Sequence, residues 1–200
     1  MTKPNRVPLV GAALVALMVA GVCAAASPPA AMETRPVVLT ADEAQTVKDF
    51  EANLADYLSL HRKLEASLPA LPTKATPDQI DANQRALGDL IRTARTDAKQ
   101  GDFFSPDMLA VVGRALASAL AGSANQTSLD SITDENPPVP GLTVNARYPK
   151  TLPLTTMPLQ VLTALPRLAE GLEYRFAGDR LILMDTHANL VIDFTDNVLF

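Results

Sequence analysis

Three stretches of the chain show the apolar spacing of amphipathic helices. From Val47 to Leu68 apolar side chains, with His61 counted among them, recur at alternating steps of three and four, the spacing of a helix packed lengthwise against another helix. Thr40, Thr76 and Ser105 precede the three stretches as N-cap residues, and the two threonines are followed three positions later by Glu or Gln, which completes a capping box. We predict a three-helix unit over residues 40–122 with short connections between its helices.

The last thirty residues change to the alternation of β-strands. Gly178 and Asp179 form a two-residue hairpin signal, and Thr186 to Asn189 fit a second, four-residue turn. The pattern predicts a three-stranded antiparallel meander with Asp193 on the outer face, because a one-residue shift would exchange the two faces. The two hairpins agree on one inner face, made of Leu172, Tyr174, Phe176, Leu181, Leu183, Leu190, Ile192 and Phe194.

The segment between the helical and strand patterns is polar and then rich in proline. Seven prolines fall between residues 137 and 166, which favours extended backbone. We predict a linker or arm over 123–156, followed over 157–200 by a short helix and the meander. The apolar face of a small sheet needs cover in water, so the meander is expected to pack on the helical unit. The predicted fold class is α+β.

The N-terminal residues have the pattern of a secretory signal peptide. Lys3 and Arg6 precede an uncharged aliphatic run, and alanines 24–26 provide a cleavage sequence. We predict a signal peptide over 1–26 and a flexible leader over 27–39, and therefore a periplasmic or secreted protein. Two alternatives stay open: a retained N-terminal membrane anchor, because the apolar run is nearly long enough to span a bilayer, and a lipoprotein cut before Cys23.

Removal of that segment changes the composition in two useful ways. Cys23 is the only cysteine, so the mature chain would contain no disulfide. Loss of two basic residues takes the net charge from −5 to −7, and an acidic chain without a basic cluster is a poor nucleic-acid binder. We expect no nucleic-acid partner, no membrane span after cleavage and no cofactor.

Candidate chemistry is confined to the segment Asp185-Thr186-His187-Ala188-Asn189. The favoured interpretation is turn chemistry, because Asn tolerates left-handed backbone and Asp185 can accept from the backbone just ahead. The alternative is a metal or catalytic site using Asp185 and His187, both acceptable ligands. That alternative needs further ligands, and the only other histidine, His61, is predicted to be a packed imidazole on a distant helix. Common nucleophile, zinc-protease and nucleotide-binding motifs are absent from the sequence.

Three segments, residues 57–71, 98–107 and 172–194, resemble an uncharacterised family of exported bacterial proteins. That family has no assigned activity, ligand or catalytic residue, so the resemblance implies bacterial origin and export and transfers no site. The leading hypothesis is an exported, non-enzymatic protein of the cell envelope that binds another protein or an envelope component. The alternative is a periplasmic metal-binding protein or hydrolase that uses Asp185 and His187.

Overall fold

The computed structural model describes residues 38–121, 136, 138–151 and 157–198. The predicted signal peptide, the cleavage site and nearly all of the leader lie outside the described residues. Residues 123–135, 137 and 152–156 of the predicted arm lie outside them too, as do residues 122 and 199–200. No helix in the described ranges combines the length and apolarity needed to cross a membrane.

Four helices are described, and the first three begin where their capping sequences predict. They are α1, Ala41–Glu65; α2, Pro77–Ala94; α3, Pro106–Ala119; and α4, Leu159–Ala164. Both predicted capping boxes form: the backbone N–H of Thr40 donates to the Glu43 carboxylate at 2.8 Å, and that of Thr76 donates to Gln79 at 2.8 Å. Ser105 accepts from the backbone N–H of Met108. Short-range polar signals therefore place the starts of all three long helices.

The strands form an open antiparallel sheet in the order β1-β2-β3, which confirms the α+β fold class. They are β1, Leu172–Ala177; β2, Arg180–Asp185; and β3, Leu190–Thr195. The first hairpin has the predicted register, with Phe176 opposite Leu181. Gly178 occupies its turn with φ +61°, a left-handed conformation that favours glycine.

The second hairpin departs from the predicted register after its first pairs. Asp185 lies opposite Leu190 as predicted, but Leu183 lies opposite Asp193 instead of Ile192. A β-bulge, in which one strand contains an extra residue, explains this shift. The prediction that Asp193 faces outward is therefore wrong, and Phe194 packs on the opposite face from the one predicted.

Asp193 is turned inward because it binds the loop between α2 and α3. Its carboxylate accepts backbone N–H groups from Gly101 at 3.0 Å and from Phe103 and Phe104 at 2.8 Å each. Burial raises the pKa of Asp193, and these hydrogen bonds oppose that rise. The side chain thus satisfies donors of a buried loop that have no strand or helix partner.

Both faces of the sheet are covered. The inner face joins the helices in one apolar cluster, which contains every predicted inner-face residue except Phe194. The outer face, with Ile182, Met184 and Val191, packs under Val139, Leu142 and Tyr148 of the arm. Arm residues 145–148 also hydrogen-bond along the free edge of β3. Of the two possible covers for the inner face, the helices supply it, and the arm covers the other side.

Candidate metal site

A row of three polar side chains runs along the C-terminal half of α1. Tyr57, His61 and Glu65 are spaced four residues apart, so they stack on one face of the helix. Tyr57 and His61 are buried, whereas Glu65 is half-exposed at the end of the helix. The row lies against the end of β2 and the turn that follows it.

Asp185, the last residue of β2, is completely buried and accepts three hydrogen bonds. Its Oδ2 atom lies 2.6 Å from the Tyr57 hydroxyl and 2.6 Å from Nδ1 of His61, and its Oδ1 accepts the backbone N–H of Ala188 at 2.9 Å. An ionised carboxylate only accepts, so Nδ1 of His61 carries a hydrogen. In the neutral imidazole the lone pair is then on Nε2.

Nε2 of His61 points toward two further side chains that could bind a metal, those of Glu65 and His187. It lies 3.4 Å from Oε2 of Glu65, and Oε1 of the same carboxylate lies 3.3 Å from Nδ1 of His187. His187 comes from the β2–β3 turn, which is held by two hydrogen bonds from Thr186 to the carbonyl of Gly171. One potential ligand atom from each of His61, Glu65 and His187 lies within 4.8 Å of the other two. We call these three residues the His61–Glu65–His187 cluster.

The ionisation of the buried groups follows from these contacts. The hydrogen bond to Asp185 raises the pKa of His61, burial opposes this, and the charges of Asp185 and Glu65 raise it further. Burial acts to raise the pKa of Asp185, but its hydrogen bonds from His61, Ala188 and Tyr57 together bring it below the ordinary value. Burial, followed by the charge of Asp185, raises the pKa of Tyr57. An ionised Asp185 therefore faces a His61 whose second proton is held more strongly than that of a free imidazole.

Two nitrogen–oxygen separations in the cluster, one to each carboxylate oxygen of Glu65, are compatible with ligands of one metal ion. Two ligands of one tetrahedral zinc ion lie about 3.3 Å apart when each bond is near 2.0–2.1 Å. The observed 3.4 Å and 3.3 Å are close to that value, and longer than the usual 2.9–3.0 Å of an N–H···O hydrogen bond. Two imidazoles and one carboxylate are a known zinc ligand set, and a carboxylate on the far nitrogen of a ligating histidine is its usual support.

The structure corrects one interpretation of the sequence and confirms two others. His61 is not distant from the turn, because α1 packs its seam on the inner face of the sheet and meets Asp185 there. The turn interpretation is correct as well: Asn189 has φ +50°, and Asp185 accepts from the backbone of Ala188. His61 is also, as predicted, a buried and hydrogen-bonded imidazole.

Of the two sequence candidates, only His187 lies in the cluster. Asp185 has both carboxylate oxygens engaged by other groups, so its position is behind His61. Glu65 and Tyr57 were missed by sequence reasoning. Both residues lie four positions from His61, and this spacing was the available signal. Polar side chains in a row on a buried helix face need hydrogen-bond partners elsewhere in the fold.

Comparison with known proteins adds no relative: no protein-family model, no curated protein and no solved structure matches this chain.

Proposed function

We propose that this chain is an exported protein of the bacterial cell envelope that binds one divalent transition-metal ion, with zinc preferred. The ligands are Nε2 of His61, the carboxylate of Glu65 and Nδ1 of His187. One observation carries the proposal: Asp185 occupies Nδ1 of His61, so that Nε2 faces Glu65 at the separation of two ligands of one ion. The proposal therefore adopts the metal-binding alternative of the sequence analysis in place of its leading hypothesis, with His61 and Glu65 joining His187 as ligands and Asp185 behind them.

The donor types and charges support this choice of ion. Imidazole nitrogen suits zinc and its neighbours in the first transition series, whereas calcium and magnesium need shells built mainly of oxygen. The carboxylates of Glu65 and Asp185 together balance the two positive charges of the ion. Binding would therefore turn a locally acidic cluster into a neutral one, without bringing an uncompensated charge against the buried side.

The hydrolase alternative in which Asp185 itself acts on a substrate is disfavoured. Both oxygens of that carboxylate are held by Tyr57, His61 and Ala188, and the side chain has no exposed surface. A general acid or base must reach the proton that it transfers. Asp185 is better suited to orient His61, and the non-enzymatic role expected from the sequence is retained.

A competing explanation is a purely structural ion-pair network. In that case a protonated His61 would bridge Asp185 and Glu65, and a protonated His187 would pair with the other oxygen of Glu65. The two explanations differ in what happens when metal is added. An ion-pair network would show no stoichiometric binding, whereas the proposed site would bind one ion per chain and release protons as it does so.

Calorimetric titration of chelator-treated protein with Zn²⁺ tests the proposal. Wild type should bind one ion per chain, and Glu65→Gln and His187→Ala should each weaken binding by at least about 100-fold, since even second-shell losses cost 10–100-fold. Both positions are half-exposed, so the variants should fold. Glu51→Gln, an exposed site on the same helix, is the matched control and should bind like wild type. Absence of stoichiometric binding would support the ion-pair network instead, and equal affinity in all variants would mean that the ion binds outside the cluster and that the proposed site is wrong.

Export rests on the signal-like residues and on the resemblance to exported proteins, and it has a separate test. The full chain should be produced in a bacterial host, fractionated and weighed by mass spectrometry. The expected product begins at Ser27 and is released with the periplasmic contents. An uncleaved chain in the membrane fraction would support the anchor, and a lipid-modified Cys23 would support the lipoprotein.

A further inference from the structure

The three proposed ligands differ sharply in exposure. The side chain of His61 is 6% exposed, that of Glu65 44% and that of His187 51%. An ion held by all three would therefore lie at the boundary between the core and solvent. Its buried side is occupied by the Asp185 carboxylate and the hydroxyl of Tyr57 behind it.

A tetrahedral ion with these ligands has one further coordination position. Within the part of the chain that the structure describes, the cluster contains three donor residues and no fourth. The buried side is filled, so the remaining position faces the half-exposed side. Structural zinc sites are closed by four protein ligands, whereas sites with three protein ligands keep a water molecule that other ligands can replace.

Charge decides which ligand would replace that water best. Glu65 and Asp185 already neutralise a divalent ion, and the chain as a whole is acidic. A small anion would add a negative charge next to two carboxylates, whereas a neutral nitrogen donor would not. Arg62 is three residues before Glu65 and therefore on a neighbouring part of the helix surface, but among the described residues neither it nor Lys63 forms an ion pair with the cluster.

We infer that a divalent ion bound by His61, Glu65 and His187 keeps one exchangeable, solvent-facing position that binds a neutral nitrogen donor of the imidazole class in preference to small anions. This inference rests on the proposed function and adds to it. The protein would then hold its metal in a form that a histidine-containing ligand can join, which a closed storage site would not allow.

The test uses the full chain loaded with Co²⁺, which has visible absorption bands that report coordination. Titration with imidazole should change the spectrum along a saturable curve, and azide should bind at least about tenfold more weakly, which corresponds to about 1.4 kcal/mol. The same titrations on Glu51→Gln, which keeps the cluster intact, should reproduce the wild-type curves.

The outcomes separate this inference from the proposed function. If no Co²⁺ binds to the wild-type protein, the proposed function itself fails. If Co²⁺ binds and depends on Glu65 and His187, but neither imidazole nor azide changes its spectrum, the site is closed and the inference of an open position is overturned. If azide binds as tightly as imidazole or more tightly, the position is open but the charge argument is wrong, and the stated preference is overturned.

Discussion

Replacement of Tyr57 by Phe tests whether the buried carboxylate of Asp185 depends on all of its donors. The Tyr57 hydroxyl lies 2.6 Å from Oδ2 of Asp185, and the same oxygen accepts from His61. The change removes one oxygen atom and no apolar contact. Any loss of stability therefore reports the hydrogen bond and the solvation of the buried charge.

The expected loss follows from the chemistry of that bond. A hydrogen bond to a charged group contributes about 1.5–3 kcal/mol, and the carboxylate has no access to water that could replace the lost donor. Asp185 keeps its bonds from His61 and Ala188, so it remains partly satisfied. We expect Tyr57→Phe to lower the free energy of unfolding by about 1.5–3 kcal/mol. For a domain of this size that is a fall of roughly 3–12 °C in Tm.

Tyr174 offers a matched control in the same apolar cluster. It is also buried, on β1, but its hydroxyl has no hydrogen-bond partner among the residues that the structure describes. Tyr174→Phe removes the same atom from a comparable environment without removing a hydrogen bond. The free energy of unfolding should stay the same or rise, because an unsatisfied buried hydroxyl is itself unfavourable.

Urea unfolding of the two variants and wild type, in chelator near pH 7, measures the difference directly. The reasoning is refuted if the two substitutions change the free energy of unfolding equally, or if Tyr57→Phe has no effect. Either result would mean that the Tyr57 hydroxyl contributes nothing specific to the buried Asp185 carboxylate.

Three further outcomes are expected. The raised pKa of His61 contributes stability that is complete below pH 6.5 and is lost as pH rises through the folded-state pKa. The lowered pKa of Asp185 contributes stability that is complete above pH 3.8 and is lost as pH falls through its folded-state pKa. Urea unfolding of metal-free protein across pH should show both limbs, and His61→Gln should flatten the alkaline one. Asp193→Asn should lower the free energy of unfolding by about 2–5 kcal/mol. Each carboxylate oxygen of Asp193 accepts two backbone N–H groups, so the amide NH₂ that replaces one of them would face donors instead of acceptors. A free energy of unfolding in urea equal to that of wild type would contradict this. Gly178→Ala should lower the free energy of unfolding by about 1–2 kcal/mol, because residue 178 has φ +61° and the added Cβ would lie 3.3 Å from Cβ of Pro138. A Tm equal to that of wild type would contradict this expectation.

The parts of the fold that sequence reasoning predicted are those set by neighbouring residues. Thr40 with Glu43, and Thr76 with Gln79, are complete signals within four positions, and both helices begin at them. The first hairpin is similar, because Gly178 supplies the turn and the alternation on both sides specifies one register. These elements need no information from distant parts of the chain.

The second hairpin failed because its register depends on a distant loop. Strict alternation placed Asp193 outside, since a charged residue is normally exposed. In the fold, the backbone N–H groups of residues 101, 103 and 104 need an acceptor, and Asp193 supplies it across about 90 positions of sequence. A bulge brings the carboxylate inward. The sequence of β3 alone gives no sign that these N–H groups need an acceptor.

The candidate site was only partly predictable for the same reason, although one signal was available. Leu181, Leu183 and Asp185 alternate on β2, so the alternation that defined the inner face also directs Asp185 to it, although the prediction did not include Asp185 in that face. A carboxylate on a buried face needs donors, and the buried face of α1 offered His61 within a polar row. The two facts together predict the contact between His61 and Asp185, but only if the face of α1 that meets the sheet is known. Local patterns do not specify that face, because the two residues are 124 positions apart.

The buried part of this arrangement is also hard to explain by folding alone. The inner face of the sheet needs apolar cover, which a leucine at position 185 and another at 61 would provide without burying any charge. Replacing a buried ion pair by well-packed apolar residues is often neutral or stabilising, so such a pair is weak support for a purely structural role. Here the buried carboxylate instead fixes the proton on Nδ1 of His61 and leaves Nε2 directed at Glu65 and the half-exposed edge. The proposed metal site would account for polar residues where the fold requires none, because leucine cannot orient a nitrogen ligand toward an ion.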